Sequence, residues 1–309
     1  DGTLQGLIDT NTGTLAALQT TIGAENVPLI TPDIGETITY EVEYAGRQYY
    51  AVADNTNVYV YDSVDPSAPV ATIHVSNSAD TRFMDCNSEA LFINRTDHNH
   101  RVYRYEWSDL VLGITSSSKY YEPTQGHQIY AMAVSEEYIY AYERSGTDQL
   151  HKQPLSSSGS SDTVMVYNEN GLGGHRLRVF GDKLYSFDYD KTDRLLVWDI
   201  RASDGYPING HSLTSGDQNS DDIQWGQGDK YGAFEASSTL IAVGAPYDDL
   251  SGTDVGSVYL FNPDNLNEAH TKLYPPAEYN LNAMTFGWSV TVTDTRLIVG
   301  ALDTQNRKS

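Results

Sequence analysis

The sequence is poor in cysteine and in positive charge. Cys86 is its single cysteine, which excludes an intrachain disulfide and a cysteine-rich zinc site. Lysine and arginine total 19 against 42 aspartates and glutamates, so the net charge is −23. Phosphate backbones and anionic lipids are bound by clustered lysine and arginine. The sequence therefore predicts no nucleic-acid partner and no general attraction to membrane surfaces.

Long apolar runs and familiar catalytic motifs are also missing. No stretch reaches the roughly 18 apolar residues that a membrane-spanning helix needs, so no membrane insertion is expected. No charged-then-apolar leader opens the sequence, which starts at Asp1 and is interpreted as a processed or trimmed product. GxSxG, P-loop, HExxH and paired CxxC motifs are absent, and Cys86 has no catalytic frame around it. These absences predict a non-enzymatic protein without a cofactor.

Tyrosine is abundant, with 23 copies, and this favours β structure over helix bundles. Many tyrosines alternate or adjoin, namely Tyr49, Tyr50, Tyr59, Tyr61, Tyr103, Tyr105, Tyr138, Tyr140 and Tyr142. In runs of period two, most of these rings are expected to pack within sheets. The alternative is a surface platform, because a tyrosine ring offers apolar area and a hydroxyl to sugars or protein partners.

The first 25 residues differ from the rest, because they contain no aromatic side chain. Leucine, isoleucine and one asparagine recur there with heptad spacing at Leu4, Ile8, Asn11, Leu15, Leu18 and Ile22. Such a seam predicts a short helical stem that bundles several copies of the chain into a trimer. The alternative is an amphipathic helix lying on its own domain. Residues 26–35 contain Pro28, Pro32 and Gly35 and indicate a hinge.

Beyond the hinge, a short strand signature recurs, with apolar or aromatic residues at its first, second and fourth positions. Copies begin at Val58, Val102, Leu195 and Val258. The 93 residues between the second and third copies are about twice the repeat length, which predicts a degenerate copy near Gln149. Each signature follows another strand and a polar hairpin. A β-rich period in the forties to fifties is typical of propeller blades.

The C-terminal third carries a more specific pattern. An aromatic–glycine pair precedes a glycine–alanine strand end twice, at Tyr231, Gly232, Gly244, Ala245 and Pro246, and again at Phe286, Gly287, Gly300 and Ala301. This pattern resembles the FG-GAP repeat of integrin-α-type β-propellers, including bacterial and viral members, over residues 230–302. Glycine at these places permits close backbone approach.

The resemblance does not extend to calcium. Integrin-type repeats often carry a DxDxDG loop before the second strand, where this sequence has 236–239 and 293–296, both poor in carboxylates. Calcium-dependent folding is therefore not expected. Two other hairpins have metal-like chemistry but are interpreted chiefly as plain turns. They hold Asp188, Asp190 and Asp193, and His98 and His100. The sequon at Asn94 stands near chance expectation.

Together these patterns predict an all-β protein, a β-propeller of six or seven blades (residues 26–309) on a helical coiled-coil stem (residues 1–25). The last blade is unfinished. Either the sequence is a fragment, or an early strand closes the ring. The alternating Ile38, Tyr40, Val42 and Tyr44 would supply that strand.

The predicted function is non-enzymatic binding. The favoured hypothesis is a viral or phage spike or fibre whose propeller is the receptor-binding head. Its partners would be a host-surface glycan or protein and, through the stem, further copies of itself, at the virion surface or outside cells. The alternative is a secreted or cell-surface microbial adhesin, and a third class is a carbohydrate-active enzyme with carboxylates at the propeller mouth.

Overall fold

A computed structural model describes most of the chain from Thr39 onward. The described ranges are 39–53, 56–75, 84–95, 101–123, 127–144, 148–156, 164–165, 174–188, 194–214, 233–249, 254–267, 270–275, 285–292 and 296–301. The predicted stem (residues 1–25) and hinge (residues 26–35) lie outside these ranges, so the stem stays a prediction.

Five antiparallel four-stranded sheets follow one another along the chain, and each is numbered here as a blade. Blade 1 contains β1 (Thr39–Tyr44), β2 (Arg47–Ala53), β3 (Asn57–Asp62) and β4 (Ala71–His74). Blade 2 contains β5 (Met84–Cys86), β6 (Ala90–Arg95), β7 (Arg101–Glu106) and β8 (Ser118–Tyr121). Blade 3 contains β9 (Gln128–Val134), β10 (Tyr138–Arg144), β11 (Asp148–Pro154) and β12 (Val164–Met165).

The C-terminal half continues in the same way. Blade 4 contains β13 (Gly174–Phe180), β14 (Lys183–Asp188), β15 (Arg194–Ile200) and β16 (Pro207–Leu213). Blade 5 contains β17 (Phe234–Ala236), β18 (Ile241–Ala245), β19 (Ser257–Phe261) and β20 (Thr271–Leu273). A two-stranded C-terminal sheet contains β21 (Ser289–Val292) and β22 (Leu297–Gly300). A single helical turn, α1 (Trp107–Leu110), follows β7, and no helix of the described chain is long and apolar enough to cross a membrane.

The apolar core is divided into clusters that lie between consecutive sheets. Val60 of blade 1 packs in one cluster with Leu91 and Tyr105 of blade 2, and four similar clusters continue to the C-terminal sheet. The first strands of neighbouring blades also meet, as β9 and β13 do. Sheets that pack face to face in sequence order, with their first strands together, form a propeller. The fold is a β-propeller.

The blade count differs from the prediction of six or seven. The described residues form five four-stranded blades and the two-stranded C-terminal sheet. The third strands of the blades begin at Asn57, Arg101, Asp148, Arg194 and Ser257, so the spacing is 44 to 47 residues until the last step, which is 63. A period taken from the early blades overestimates the count, because the connection from blade 4 to blade 5 is longer.

Two local predictions concern particular strands. The degenerate copy near Gln149 is confirmed, since β11 is the third strand of blade 3. Tyr40, Val42 and Tyr44 of the proposed ring-closing strand lie in β1, which pairs with β2 from Thr39↔Val52 to Tyr44↔Arg47 and forms the first strand of blade 1, whereas Ile38 lies outside the described residues and closure of the ring stays a prediction. The two-residue turn at Ala45 and Gly46 explains this, because it returns the chain directly into a hairpin.

Candidate functional site

The glycines of the FG-GAP-like pattern lie at the junction of blade 5 and the C-terminal sheet. Gly244 and Ala245 end β18, whereas Phe286 and Gly287 lead into β21. Phe286 forms an isolated parallel bridge with Gly256, and its amide donates to the carbonyl of Val255 at 2.9 Å. The remaining pattern residues are Pro246 in a turn, Gly300 at the end of β22, the exposed Ala301, and Tyr231 and Gly232 outside the described residues. The pattern therefore serves a backbone contact between blades.

The polar segment that replaces the calcium loop forms a turn. Ser237 follows β17, and its hydroxyl accepts hydrogen bonds from the amides of Thr239 at 3.3 Å and Leu240 at 3.2 Å. The same Ser237 hydroxyl donates a hydrogen bond to the carbonyl of Leu240. Ser135 holds the corresponding turn of blade 3 in the same way. These hydroxyls are used in turn formation.

The other sequence-predicted sites do not come together in the described structure. Asp188 ends β14, while Asp190, Asp193, His98 and His100 lie outside the described residues. Asn94 is fully buried in β6, so its sequon is inaccessible to a glycan in the folded chain. Burial, and then the charge of Asp85, raises the pKa of the Cys86 thiol well above its usual value. A catalytic thiolate requires the opposite shift.

The predicted tyrosine runs divide between core and surface. Buried members are Tyr49, Tyr105, Tyr140 and Tyr142, and half-buried members are Tyr50, Tyr59, Tyr61, Tyr103 and Tyr138. Tyr50, Tyr59 and Tyr61 share one side of blade 1, called here the tyrosine face. Tyr50 and Tyr61 are paired across β2 and β3 and stack with ring centroids 5.2 Å apart and planes at 15°, and Tyr59 lies 6.5 Å from Tyr61.

The tyrosine face is more open than its counterpart in blade 2. Tyr61 and Tyr105 hold the same position in the strand signature, but Tyr105 is 1% exposed within the core between blades 1 and 2. None of the core clusters formed by described residues contains Tyr50, Tyr59 or Tyr61. Three aromatic rings are therefore held in fixed register and remain partly accessible.

Polar groups border this face. The side-chain amide of Asn57 donates to the Tyr59 hydroxyl at 3.1 Å, and its oxygen lies 3.2 Å from Nδ1 of the exposed His74. The Tyr50 hydroxyl is buried and has no hydrogen-bond partner within the described part of the chain. The arrangement combines apolar ring surface with hydrogen-bonding groups.

A charged network joins the first strands of three blades. Arg178 of β13 lies 3.8 Å from Asp85 of β5 and 3.4 Å from Glu235 of β17, and Arg176 is 3.6 Å from Glu235. Blade 2 meets blade 4 in this way because the first strands of the blades lie close together. Asp85 also accepts a hydrogen bond from the amide of Val134 at 2.8 Å. Burial outweighs these contacts and raises the pKa of Asp85 to about 6.

A second polar cluster lies between blades 2 and 3. Nδ1 of His127 is 3.1 Å, and Nε2 of His151 is 3.5 Å, from Oε2 of Glu143. Tyr121 of β8 donates its hydroxyl to Oε1 of the same carboxylate. The side chains of Glu143 and His151 are 0% and 1% exposed, and that of His127 is 14% exposed. This group is called here the His–Glu cluster.

Strand pairing and blade packing assemble the His–Glu cluster. Glu143 in β10 and His151 in β11 share one side of the sheet, because His151 is paired with Ala141, two residues from Glu143. His127 immediately precedes β9, and Tyr121 reaches across from the last strand of blade 2. Burial lowers the pKa of His151, and the charge of Glu143 opposes this shift.

Sequence reasoning did not detect this cluster, although the degenerate signature contained its signal. Pairing and packing align Leu150 with Val58, which places His151 and Gln153 where blade 1 has Tyr59 and Tyr61. Two polar side chains thus replace rings on a buried side of the sheet. Such a replacement in a repeat indicates a specific polar contact, because buried polar groups require partners.

Comparisons with known proteins identify no family for this chain. No family model matches the sequence, and no curated protein matches it. Among solved structures, "Structure of Kluyveromyces lactis Hsv2p" is similar at 12% identity and a TM-score of 0.43, over 78% of this chain and 66% of that chain. A second, "Kluyveromyces lactis Hsv2 complete loop 6CD", has 12% identity and a TM-score of 0.40, over 76% and 60% of the two chains. The propeller assignment rests on the sheets and core clusters described above.

Proposed function

We propose that this chain is a non-enzymatic binding protein, the receptor-binding head of a viral or phage spike or fibre. The observation that carries the proposal is the tyrosine face, where Tyr50, Tyr59 and Tyr61 form a partly accessible aromatic ladder. The resemblance of the C-terminal third to FG-GAP repeats, which occur in bacterial and viral propellers, agrees with this class.

The chemistry of the tyrosine face suits a sugar or a protein loop. Stacked rings present flat apolar area at low conformational cost, and aromatic side chains dominate binding energy at interfaces. Asn57 and His74 add hydrogen-bonding groups at the border. The net charge of −23 makes a polyanionic ligand unfavourable, so a neutral or basic receptor is expected.

Self-association through the predicted stem would strengthen weak binding by each head. Linked copies convert later contacts into intramolecular ones, and avidity then exceeds the affinity of a single site by orders of magnitude. A spike therefore needs only moderate affinity at each tyrosine face.

The proposal is tested with the full chain on an array of immobilised host glycans and on intact cells. Tyr61→Ala should reduce binding at least about tenfold, equivalent to about 1.4 kcal/mol, as expected for a central aromatic contact. Tyr103→Ala is the control, because Tyr103 is a half-buried tyrosine of blade 2 that lies outside the tyrosine face. It should leave binding within about twofold.

Other outcomes separate the alternatives. Binding that is unaffected by Tyr61→Ala would contradict the assignment of the tyrosine face, and turnover of any glycan would establish an enzyme instead. A monomer that binds cells would favour the microbial adhesin, whereas a trimer would favour the spike.

A further inference from the structure

We propose that the His–Glu cluster is a structural zinc site that fastens blade 3 to blade 2. His127, Glu143 and His151 each offer one ligand atom, and these three atoms lie within 4.8 Å of one another. The side-chain oxygen of Gln149 lies 3.2 Å from Nε2 of His151 and supplies a fourth candidate ligand. This site is separate from the tyrosine face and is independent of the proposed function.

The separations between the ligand atoms match a tetrahedral ion. Zinc bonds of about 2.0–2.1 Å at tetrahedral angles place neighbouring ligand atoms about 3.3 Å apart. Oε2 of Glu143 lies 3.1 Å from Nδ1 of His127 and 3.5 Å from Nε2 of His151. The side-chain oxygen of Gln149 lies 3.2 Å from Nε2 of His151.

The donor set favours zinc over calcium and magnesium. Two imidazole nitrogens with carboxylate and amide oxygens suit zinc, whereas calcium and magnesium prefer six or more oxygens or several retained waters. An imidazole binds a metal in its neutral form.

The contacts around the ligands also fit a metal site. The Tyr121 hydroxyl donates to Oε1 of Glu143, which leaves Oε2 directed at the two histidines. Such outer hydrogen bonds orient a ligating carboxylate. Glu143, Gln149 and His151 lie in strands of blade 3, and His127 directly precedes its first strand. Because Tyr121 belongs to blade 2, an ion there would link the two blades through the Tyr121–Glu143 hydrogen bond.

The burial of the cluster indicates a structural ion. Glu143 and His151 are closed off from solvent, and the side-chain oxygen of Gln149 lies beside His151 as a further protein ligand. A catalytic zinc site keeps one position open to water or substrate, whereas a structural site is filled by protein ligands.

The experiment uses the full chain, freed of metal with a chelator and then given zinc chloride. We expect one zinc per chain after desalting, measured by plasma mass spectrometry, and a melting temperature raised by several degrees. Cobalt chloride should give the visible absorption of tetrahedral Co²⁺. Calcium at equal concentration and ionic strength should produce neither effect.

Variants decide whether the zinc occupies this cluster. His151→Gln and His127→Asn should each weaken zinc binding at least about 100-fold, because loss of an outer contact alone costs 10- to 100-fold. His211→Asn, which changes an exposed histidine of β16, should retain one zinc per chain. His127 is at the border of the cluster, so its variant remains informative if His151→Gln fails to fold.

Two results would overturn the proposal. One is a metal-free protein that takes up no stoichiometric zinc, which would leave the cluster as a hydrogen-bonded network. The other is full zinc retention by folded His127→Asn. Loss of zinc with intact glycan binding would leave the proposed function standing, so the two proposals fail independently.

Discussion

Gly244 and Gly287 meet backbone to backbone at the junction of blade 5 and the C-terminal sheet. A Cβ on Gly244 would overlap the carbonyl oxygen of Gly287, and a Cβ on Gly287 would lie 3.2 Å from the Cα of Gly244. Gly287 also has a φ of +91°, a conformation that residues with side chains rarely adopt. Only glycine satisfies both the contact and the backbone angle.

Gly287→Ala should therefore destabilise the propeller more than a glycine substitution at an open turn. Gly46→Ala is the matched control, since Gly46 has a φ of +74° and a Cβ added there would meet no atom within 4 Å. Gly46→Ala should lower the free energy of unfolding by about 1 kcal/mol, because alanine disfavours the positive φ. Gly287→Ala should lose a further 1–3 kcal/mol or so, because its Cβ also overpacks the contact. Urea denaturation measures the stability of both variants. Equal losses of stability in Gly287→Ala and Gly46→Ala would contradict the close contact.

The raised pKa of Asp85 predicts a pH-dependent contribution to stability. Because its pKa is about 6 in the fold against 3.8 ordinarily, the fold favours the protonated carboxyl. The contribution of Asp85 is greatest below about pH 4 and is lost as pH rises through 6. Asp85→Asn cannot titrate, so its stability relative to wild type should rise by up to about 3 kcal/mol between pH 4 and 7.

Asp65→Asn provides a control of opposite sign. Hydrogen bonds from the hydroxyl and amide of Ser67 lower the pKa of the exposed Asp65. Its stabilising effect is present above its ordinary pKa and is lost on acidification, so this variant should become relatively less stable as pH rises. A difference between wild type and Asp85→Asn that does not change with pH would refute the assignment.

The ion pair between Lys272 and Asp248 predicts a large cost when only one partner is removed. Nζ of Lys272 is 2.8 Å from Asp248, whose side chain is 2% exposed and also accepts from the Ser257 hydroxyl. Lys272→Met leaves a buried carboxylate without its cation and should cost about 3–5 kcal/mol. Adding Asp248→Asn should recover part of that loss in a double-mutant cycle.

Lys183→Met is the surface comparison for this pair. Lys183 lies 2.9 Å from Asp199, but their side chains are 22% and 37% exposed. Solvent screens such a pair, so its loss should cost at most about 1 kcal/mol. Similar costs for Lys183→Met and Lys272→Met would show that burial does not govern these pairs.

Self-association is predicted to depend on the heptad seam. Deleting residues 1–25 should leave a folded, monomeric propeller, because the seam is the only heptad pattern in the sequence. Leu15→Asp with Leu18→Asp should act likewise by placing unpaired charges in the seam. Light scattering measures the outcome, and an unchanged oligomer after either change would eliminate the stem hypothesis.

The sequence by itself determined the strands and the sides of the sheets they present. Alternation such as Val58, Tyr59, Val60 and Tyr61 is a local property, because successive side chains of a strand point to opposite faces. The recurrence of that signature located the third strand of every blade. The glycine pattern likewise marked positions where backbones approach, since a missing side chain is visible in the sequence.

The tertiary structure alone decided which side chains meet and which faces remain open. Tyr61 and Tyr105 have equivalent sequence contexts, yet packing against blade 1 buries the second and no described core cluster covers the first. His127, Glu143 and His151 have no motif spacing; β-pairing and the packing of blade 3 on blade 2 bring them together. The physical reason is that the side of the sheet on which a side chain lies follows from local backbone geometry. Which side chains touch depends on sheet order and register, which bring together residues far apart in the chain.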